Sequence, residues 1–310
     1  MLYSQPQIML NLSVVIVNYR SWSKLDGCLL SIDQQRQKVK KVIVVDNKSD
    51  DGVIESFIKK FPRVEWVRNE SNAGFAAACN LGAQNCSSHW ILFLNPDTRL
   101  PKDCLATLIP YCDQHPDFHL VTIKQLSESG KNTHPYGVFP NVWDSAGLVR
   151  SIHRLIFQPD QTKKAMTASP IAFPHWISGS FVLLRKEHFD LLNGWDDQFW
   201  MYCEDIDLSK RAEEKGLIRV LLNQWECLHS HGVSSRANKK IKVLTKAEVV
   251  KSTHIYIEKH FIGKNKKWAH QWLRFHKSIE LTIIGLIDPS KKEILKILNP
   301  YWREFFSEGI

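Results

Sequence analysis

A short acidic segment brings carboxylates next to large aromatic side chains. Glu204, Asp205 and Asp207 lie within four residues and follow directly on the run WDDQFWMYC. Crowding in a partly dry site raises the pKa of at least one carboxyl group, which suits a base that removes a proton from a hydroxyl. We predict that one of these carboxylates is that base. Trp200 and Tyr202 are predicted to wall the pocket for the molecule that carries the hydroxyl.

The same segment also fits an ordinary helix start. Acidic side chains near a helix N-terminus complement the helix dipole, and Asp207 and Arg211 are spaced for an ion pair. We accept this interpretation for Asp207 and Arg211. For Glu204 and Asp205 a catalytic role is favoured, because a plain surface helix rarely begins behind three exposed large aromatic residues.

A further carboxylate, Asp97, follows the most hydrophobic run of the chain, WILFL, which ends in Asn95-Pro96-Asp97. A carboxylate at a rigid strand exit suits Mg²⁺ or Mn²⁺ bridging phosphate oxygens. Turn chemistry also favours Asn, Pro and Asp, so capping of a turn is the alternative. His229 could complete the metal shell, with His231 as the competing candidate and a purely structural histidine as the alternative to both.

Other polar groups follow β-branched runs. Asp46 could accept hydrogen bonds from a base or ribose, or could instead cap the next helix. The run NAGFAAACNLG combines a flexible turn with small side chains that let the backbone approach a ligand, although a tightly packed helix would show the same pattern. The predicted ligand-binding residues of these segments are Asn18, Tyr19, Asp46, Asn72, Gly74 and Asn80.

The elements that must position these groups alternate along the chain, which predicts an open α/β sheet. Ligands bind such sheets beyond the carboxyl ends of the strands, where Asn18, Asp46 and Asp97 would meet. The predicted strands are residues 12–18, 41–46, 64–68, 90–94, 176–184 and 219–223, and the predicted helices are residues 23–35, 52–60, 74–84 and 186–192.

Two segments depart from this alternation. Residues 127–174 are rich in Pro, Gly, Ser and Asn, which predicts a long loop that shapes a binding site. Two long helical patterns follow Arg236, so we expect a catalytic domain at 1–235 and a helical extension at 236–310. That extension carries 16 Lys and Arg against 7 Asp and Glu, which accounts for the whole net charge of +9. A neutral body with a basic tail favours docking to an anionic surface over nucleic-acid binding.

The extension contains an aromatic and aliphatic stripe with basic residues nearby. Trp268, Trp272, Phe275, Ile279 and Ile283 follow helical spacing, which is typical of an interfacial amphipathic helix. Packing of the stripe on the catalytic domain is equally open. The odd set of seven cysteines lacks a CxxC pair, and no long uncharged apolar run occurs. We expect a cytoplasmic protein, peripheral on the cytoplasmic face of the inner membrane if the stripe binds lipid.

Seven segments, in order over residues 12–235, resemble the family 2 inverting glycosyltransferases, especially the rhamnosyltransferase-like branch. The resemblance implies a GT-A fold: a Rossmann-like, mixed, mainly parallel sheet with helices on both faces. It implies that Asp46 holds the nucleotide, Asp97 is the metal carboxylate of a DxD-type motif that begins with Asn95, Asp205 is the base and His229 is a metal ligand. The segments are SVVIVNYRS, VIVVDNKSDDG, NAGFAAACNLG, LNPD, SGSFVLLRKEHF, GWDDQFWMYCEDIDLSKR and HSHGVSS.

Together, the residues and the resemblance predict a glycosyltransferase that uses Mn²⁺ or Mg²⁺. It would transfer a sugar with inversion from a nucleotide diphosphate, with dTDP-rhamnose as first candidate and a UDP-sugar as second. The acceptor would be a saccharide, free or lipid-linked, in the synthesis of a cell-surface polysaccharide such as lipopolysaccharide O-antigen, held in part by Gly179 and Ser180.

Two other function classes remain open at this point. A nucleotidyltransferase acting on a sugar phosphate would share the sheet and the metal carboxylate, but the segment NYRSWSK is a poor match to a Gly-rich phosphate loop. A non-enzymatic basic docking module is supported only by the charge of the tail. We expect no nucleic-acid partner, because the body of the protein is neutral.

Overall fold

A computed structural model describes residues 9–141, 166–230 and 239–307. The strands are β1 (Leu10–Asn18), β2 (Val39–Asp46), β3 (Glu65–Arg68), β4 (Trp90–Leu94), β5 (Thr98–Arg99), β6 (Leu120–Leu126), β7 (Tyr136–Gly137), β8 (Ile171–Ala172), β9 (Trp176–Ile177), β10 (Phe181–Arg185) and β11 (Arg219–His229). The helices are α1 (Trp22–Asp33), α2 (Ile54–Lys60), α3 (Phe75–Gln84), α4 (Cys104–Asp113), α5 (Lys186–Leu191), α6 (Glu204–Glu214), α7 (Lys239–His260), α8 (Gly263–Gly285) and α9 (Pro289–Ser307).

Nine strands form one mixed sheet in the order β3-β2-β1-β4-β10-β6-β11-β5, with β8 also paired to β11. Strands β1 to β4 run parallel to one another, and β6 runs parallel to β11. Strand β10 lies between β4 and β6 and is antiparallel to both. The predicted mixed, mainly parallel sheet is confirmed. The strand order reverses between β1 and β4, which is where open α/β sheets form ligand crevices.

Successive strand residues face two separate apolar cores, as the two-residue period of a strand requires. Val14 and Ile16 of β1 pack in a core with α1, α2 and α4, whereas Val15 and Val17 pack in a core with α3, α5 and α6. Helices therefore cover both faces of the sheet, as predicted.

Close packing explains the small side chains of α3. A Cβ on Gly82 would lie 2.5 Å from Cγ1 of Val15 and 3.1 Å from Cγ2 of Val45, and Ala76 and Ala78 are fully buried. Of the two interpretations of this run, the structure therefore accounts for its alanines and for Gly82 by helix–sheet contact.

The predicted strand at residues 176–184 is divided in the structure. Its first part is β9, which pairs with β7 in a separate two-stranded sheet, and its second part is β10, inside the main sheet. A turn at residues 178–180 separates the two. The predicted strand at 219–223 is longer than expected, because β11 continues to His229 after a register shift between Leu222 and Glu226.

The predicted loop at residues 127–174 contains the short strands β7 and β8, and its residues 142–165 lie outside the described part of the chain.

The described residues separate into two units. Residues 9–138, 166–197 and 204–230 form the sheet unit, and residues 139–141, 198–203 and 239–307 form the helical unit. The segment 198–203 belongs with the helices, and the carbonyl of Met201 accepts a 2.7 Å hydrogen bond from Oγ of Ser252 in α7. The expected boundary near Arg236 lies outside the described residues.

The helical unit has an apolar core crossed by a chain of polar contacts. Trp302 Nε1 donates to Nε2 of His254 at 3.0 Å, His254 Nδ1 lies 2.9 Å from Nδ1 of His270, and His270 Nε2 lies 3.1 Å from a carboxylate oxygen of Glu258. Since an indole N–H only donates, His254 is a neutral donor toward His270, and His270 in turn donates to Glu258. No described helix is both long and apolar enough to cross a bilayer.

Candidate active site

Asp97 and His229 are brought together by a short strand pairing. β5, which directly follows Asp97, pairs antiparallel with the end of β11 and places Thr98 opposite His229. As a result, Nε2 of His229 lies 3.2 Å from Oδ1 of Asp97, and the backbone N–H of Ser230 donates to the Asp97 carbonyl at 3.0 Å. Both side chains are largely buried, so the pair is held in a fixed geometry.

Gln125 of β6 orients the histidine. Its Oε1 lies 2.7 Å from Nδ1 of His229 and 2.9 Å from Oγ of Ser180. An amide oxygen can only accept, so Nδ1 of His229 donates to Gln125. In the neutral tautomer Nε2 then carries the lone pair, 3.2 Å from the Asp97 carboxylate oxygen, and a cation that both atoms coordinate would suit this pair.

This donor set fits a divalent cation of the Mn²⁺ or Mg²⁺ type. One imidazole nitrogen and one carboxylate oxygen leave most of an octahedral shell to water and phosphate oxygens, which is how such ions bind phosphorylated substrates. Within the described residues, no group of three or more His, Cys, Asp and Glu side chains could hold a metal by itself. His231, Gly232 and Ser234 of the HSHGVSS segment lie outside those residues.

The turn at residues 178–180 connects the Asp97 side of the site with Asp205. The backbone N–H of Gly179 donates to Oδ2 of Asp205 at 3.2 Å. On the next residue, the carbonyl of Ser180 accepts from the N–H of Asn95 at 3.0 Å, and its hydroxyl reaches Gln125. A Cβ on Gly179 would approach Phe75 to 3.2 Å, so glycine suits this position. The predicted base and the predicted metal carboxylate therefore border one three-residue turn.

Asp205 lies in the first turn of α6. Its Oδ1 accepts the N–H of Ile206 at 2.8 Å, and Ser209 of the same helix accepts the N–H of Ile177 at 3.3 Å. Burial raises the pKa of Asp205 above its ordinary value, while the N–H donors of Gly179 and Ile206 lower it in part. A raised pKa makes the carboxylate a stronger proton acceptor, as the role of base requires.

The two acidic residues next to Asp205 are both buried. Asp207 is fully buried and pairs with Nε of Arg211 at 2.8 Å, so the ion pair accepted for these two residues is present. Arg211 also donates to the carbonyl of Gly194 at 3.0 Å. Glu204 is buried at the helix start, next to Asp205 in sequence, and its catalytic role stays a prediction.

Asp46 ends β2 in a network of polar contacts. Its Oδ1 accepts from the Ser49 hydroxyl and lies 3.4 Å from Nδ2 of Asn18, which ends β1. Asn18 Oδ1 accepts the N–H of Ser21 at 3.2 Å. The Ser49 N–H lies 3.4 Å from Oδ2 of Asp46, so the carboxylate caps the loop that follows it. The alternative that Asp46 caps the next helix is wrong, because α2 begins after Val53 and has no side-chain cap. The carboxylate lies instead at the wall of a cavity.

That cavity has a volume of about 330 Å³, within the range of pockets that bind small ligands. Its polar lining is mixed but mostly acidic, which suits the hydroxyl and N–H donors of a nucleoside better than phosphate. The lining residues are Asp46, Lys48, Asp50, Asp51, Gly52, Ile54, Glu55, Arg68, Asn69 and Glu70.

The other predicted donor-binding residues are distributed around α3. Asn47 donates to Oδ1 of Asn72 and to the Gly74 carbonyl, both at 3.0 Å, and Gly74 starts the helix with a φ of +89°. The Asn80 side chain donates to the backbone carbonyl of Trp195 at 2.7 Å and accepts from the backbone N–H of the same residue at 2.9 Å. The side chain of Asn80 therefore anchors the segment before the acidic cluster.

Tyr19 directly follows Asn18, and its ring lies 5.4 Å from the guanidinium of Arg20. Trp200 and Tyr202 belong to the helical unit, and Gly179 and Ser180 to the sheet unit. The backbone at Tyr202 has a φ of +72°. The donor and acceptor roles of all these residues stay predictions.

Comparison with known proteins shows similarity to glycosyltransferases. The model of the family described as "Glycosyl transferase family 2" matches residues 13–188. An N-acetylglucosaminyl-diphospho-decaprenol L-rhamnosyltransferase of Mycobacterium tuberculosis is 25% identical over 81% of this chain and 85% of its own length. The rhamnosyltransferase WbbL of Escherichia coli is 26% identical over 76% of this chain and 89% of its own length.

Solved structures show the same fold. TarS of S. aureus (residues 1–349) aligns with a TM-score of 0.52 at 15% identity, over 84% of this chain and 70% of that one. GalNAc-T7, crystallised with UDP, GalNAc and Mn²⁺, aligns with a TM-score of 0.56 at 15% identity, over 86% of this chain and 55% of that one. The expected GT-A fold is thus confirmed, and the chain belongs to glycosyl transferase family 2, with similarity to its rhamnosyltransferases.

Proposed function

We propose that the protein transfers a sugar, with inversion, from a nucleotide diphosphate to a hydroxyl group of an acceptor saccharide. The observation that carries this proposal is the turn at residues 178–180. It contacts the Asp205 carboxylate through Gly179 and the Asn95–Asp97 and His229 side through Ser180. A base and an anion-binding group on opposite sides of one small site are what displacement at a sugar carbon needs.

Asp205 acts as the base. The acceptor hydroxyl loses its proton to this carboxylate as its oxygen attacks the anomeric carbon, and the bond to the diphosphate breaks on the opposite face of the sugar. Burial, which raises the pKa of Asp205, strengthens its basicity. The N–H groups of Gly179 and Ile206 hold the carboxylate in one orientation, which limits the entropy lost on reaching the transition state.

Asp97 and His229 are the residues that would hold Mn²⁺ or Mg²⁺. When bound, the cation would neutralise charge on the departing diphosphate. The chain's part is to fix both ligands in advance: β5 and β11 set their separation, and Gln125 keeps the proton on Nδ1 of His229. The nucleoside would lie in the cavity beside Asp46, with Asn18, Tyr19 and Asn72 nearby.

The names of similar proteins support a proposal for the donor and the acceptor. Two similar proteins are named as rhamnosyltransferases, and one of these names contains a diphospho-decaprenol acceptor. We infer that this chain uses dTDP-rhamnose and a lipid-linked saccharide in the synthesis of a cell-surface polysaccharide, on the cytoplasmic face of a membrane. In the sheet unit, Gly179 and Ser180 are the residues we assign to acceptor binding, and the assignment of Trp200 and Tyr202 rests on the sequence alone.

A thermal-shift panel of nucleotide sugars, with and without Mn²⁺, tests the donor and the metal together. A ligand that binds the folded protein raises its melting temperature. We expect dTDP-rhamnose with Mn²⁺ to give the largest rise, and Asp97→Ala to remove the part that depends on Mn²⁺. Asp103→Ala, which alters an exposed carboxylate at the start of α4, is the matched control and should keep the full shift.

The same panel separates the alternatives. Stabilisation by a nucleoside triphosphate with a sugar phosphate, and not by any nucleotide sugar, would favour a nucleotidyltransferase. A Mn²⁺ effect that survives Asp97→Ala unchanged would refute the metal assignment. A larger shift with a UDP-sugar than with dTDP-rhamnose would replace the donor and leave the reaction class in place.

A further inference from the structure

Helix α8 has two apolar faces. One face packs inside the helical unit through Ala269, His270, Leu273, Leu281 and Gly285, all of which are buried. The other face carries the stripe predicted from the sequence, here called the α8 stripe: Trp268, Trp272, Phe275, Ile279, Ile283 and Leu286. Successive stripe residues are three or four positions apart, so at 3.6 residues per turn the stripe runs along the side opposite the buried face.

Most of the α8 stripe is exposed, although Trp272 is half-buried. Phe275 is 59% exposed, Ile279 43%, Ile283 60% and Leu286 77%, and Ile287, which follows, is 88% exposed. A row of large apolar side chains at these exposures exceeds the scattered surface hydrophobics of an ordinary soluble protein, and such rows mark interaction sites.

The charge around the stripe is basic. Between Gly263 and Ile287 the sequence has five Lys and Arg against a single acidic residue, Glu280, which pairs with Lys277 at 2.7 Å. On the helical wheel, Lys264, Lys267 and Arg274 lie along one flank of the stripe. Lys264 and Lys267 are exposed and form no ion pair among the described residues.

We propose that the α8 stripe is a docking face for the surface of a bilayer that contains anionic lipids. The apolar side chains would enter the boundary between headgroups and acyl chains, while the basic flank contacts lipid phosphates. A second copy of the chain fits less well, because pairing of two stripes would bring two basic segments together. Nucleic acid fits less well too, because Ile279, Ile283 and Leu286 can neither stack on bases nor bond to them. The proposal is independent of the reaction proposed above.

Co-sedimentation of the full chain with vesicles tests the proposal. One vesicle consists of phosphatidylcholine, and the other contains about one-third phosphatidylglycerol. We expect the wild-type protein to sediment mainly with the anionic vesicles. The double variant Phe275→Ser/Ile283→Ser should lower that partition about tenfold or more. Lys264→Glu/Lys267→Glu should lower the partition onto anionic vesicles at least about fivefold per charge. This variant should then bind the anionic and the phosphatidylcholine vesicles equally.

Controls make the result specific to the stripe. Leu191→Ser removes a side chain of the sheet unit that is 49% exposed, and it should bind like wild type. Both double variants alter exposed side chains, so they should keep the wild-type melting temperature and the same shift with a nucleotide sugar. If the wild-type protein shows no thermal shift with any nucleotide sugar, the result contradicts the proposed reaction and leaves the docking face untouched.

Three results would overturn the proposal. One is equal binding of wild type and Phe275→Ser/Ile283→Ser to anionic vesicles, and another is no wild-type binding to either vesicle. The third is a wild-type dimer in sedimentation velocity that becomes monomeric in the serine variant, which would assign the stripe to self-association.

Discussion

At Asp205, burial and hydrogen bonding act on one carboxyl group in opposite directions. Burial is the larger effect, so the pKa is raised, while the N–H groups of Gly179 and Ile206 stabilise the charged form and limit the rise. The Asp205 carboxylate therefore accepts a proton more readily than the carboxylate of an exposed aspartate does.

We expect Asp205→Asn to lower turnover by about 10²- to 10⁴-fold, the usual contribution of a positioned base, and to leave the nucleotide-sugar thermal shift intact. In the wild type, activity should fall with decreasing pH at a higher pH than an ordinary aspartate would give, because protonation removes the base. Initial rates across a pH series measure both effects. Asp190→Asn, which alters an exposed carboxylate of helix α5, is the control, and unchanged turnover in Asp205→Asn would exclude its role as base.

Gln125→Leu should weaken Mn²⁺ binding about 10- to 100-fold, as is typical when the hydrogen-bond partner of a metal-binding histidine is lost. Gln125→Glu keeps an acceptor for Nδ1 of His229 and should restore most of the affinity. Electron paramagnetic resonance titration with Mn²⁺ measures this without any turnover. Nitrogen NMR of the metal-free protein should place the His229 proton on Nδ1; a proton on Nε2 would mean that the Gln125 amide nitrogen faces His229, contrary to the prediction.

Several of the residues identified from the sequence stand at or just after the ends of strands. Asn18, Asp46 and Asp97 stand directly after apolar runs, and such positions are readable because buried strands have a clear composition. Gln125 was missed. It is a fully buried polar residue within β6, 104 positions from the histidine that it contacts, and a contact over that separation leaves no local pattern.

At the scale of elements, the fit of α3 on the sheet depends on Gly82. We expect Gly82→Ala to lower the free energy of unfolding by about 1–3 kcal/mol, because its Cβ would overlap branched side chains that cannot move aside. This should outweigh the gain in helix propensity of roughly 1 kcal/mol. Urea unfolding measures the change, and Gln84→Ala, exposed on the same helix, should show no loss. Equal stability of Gly82→Ala and wild type would contradict the packing.

Two elements differ from the prediction made from the sequence, and each difference has a physical reason. The run 176–184 reads as one strand because it is apolar throughout, but Ser178, Gly179 and Ser180 form a turn whose backbone groups bind Asp205 and Asn95. Helix α9 was not predicted, and Pro300 interrupts its sequence pattern. Tertiary contacts decided both cases.

At the scale of the whole molecule, the helical unit differs from the sheet unit because its core contains two buried imidazoles in contact. In the helical unit, burial lowers the pKa of His254 to about 3, with smaller contributions from His270 and Arg274, and burial also lowers the pKa of His270. Both imidazoles are neutral in the folded unit, and neighbouring Glu258 accepts from His270 while Lys266 faces Glu258.

Acid should therefore destabilise the helical unit. Below about pH 6.5 the unfolded chain binds protons that the folded unit excludes, so stability is complete above this pH and is lost as pH falls toward the folded pKa. His254 alone should cost about 2 kcal/mol at about pH 5. Urea unfolding followed by circular dichroism at several pH values measures the slope. His254→Gln should flatten it, whereas His89→Gln, on an exposed residue, should not; an identical slope in His254→Gln would refute the explanation.

The Gly179 N–H and the Ser180 carbonyl are separated by one planar peptide group and by the backbone torsions of two residues. The N–H faces the proton acceptor, and the carbonyl faces the strand exit where the diphosphate would leave. The span between the two halves of the reaction is consequently only two residues of backbone long. New alcohols could be accommodated by changes in the surrounding loops while this span is kept.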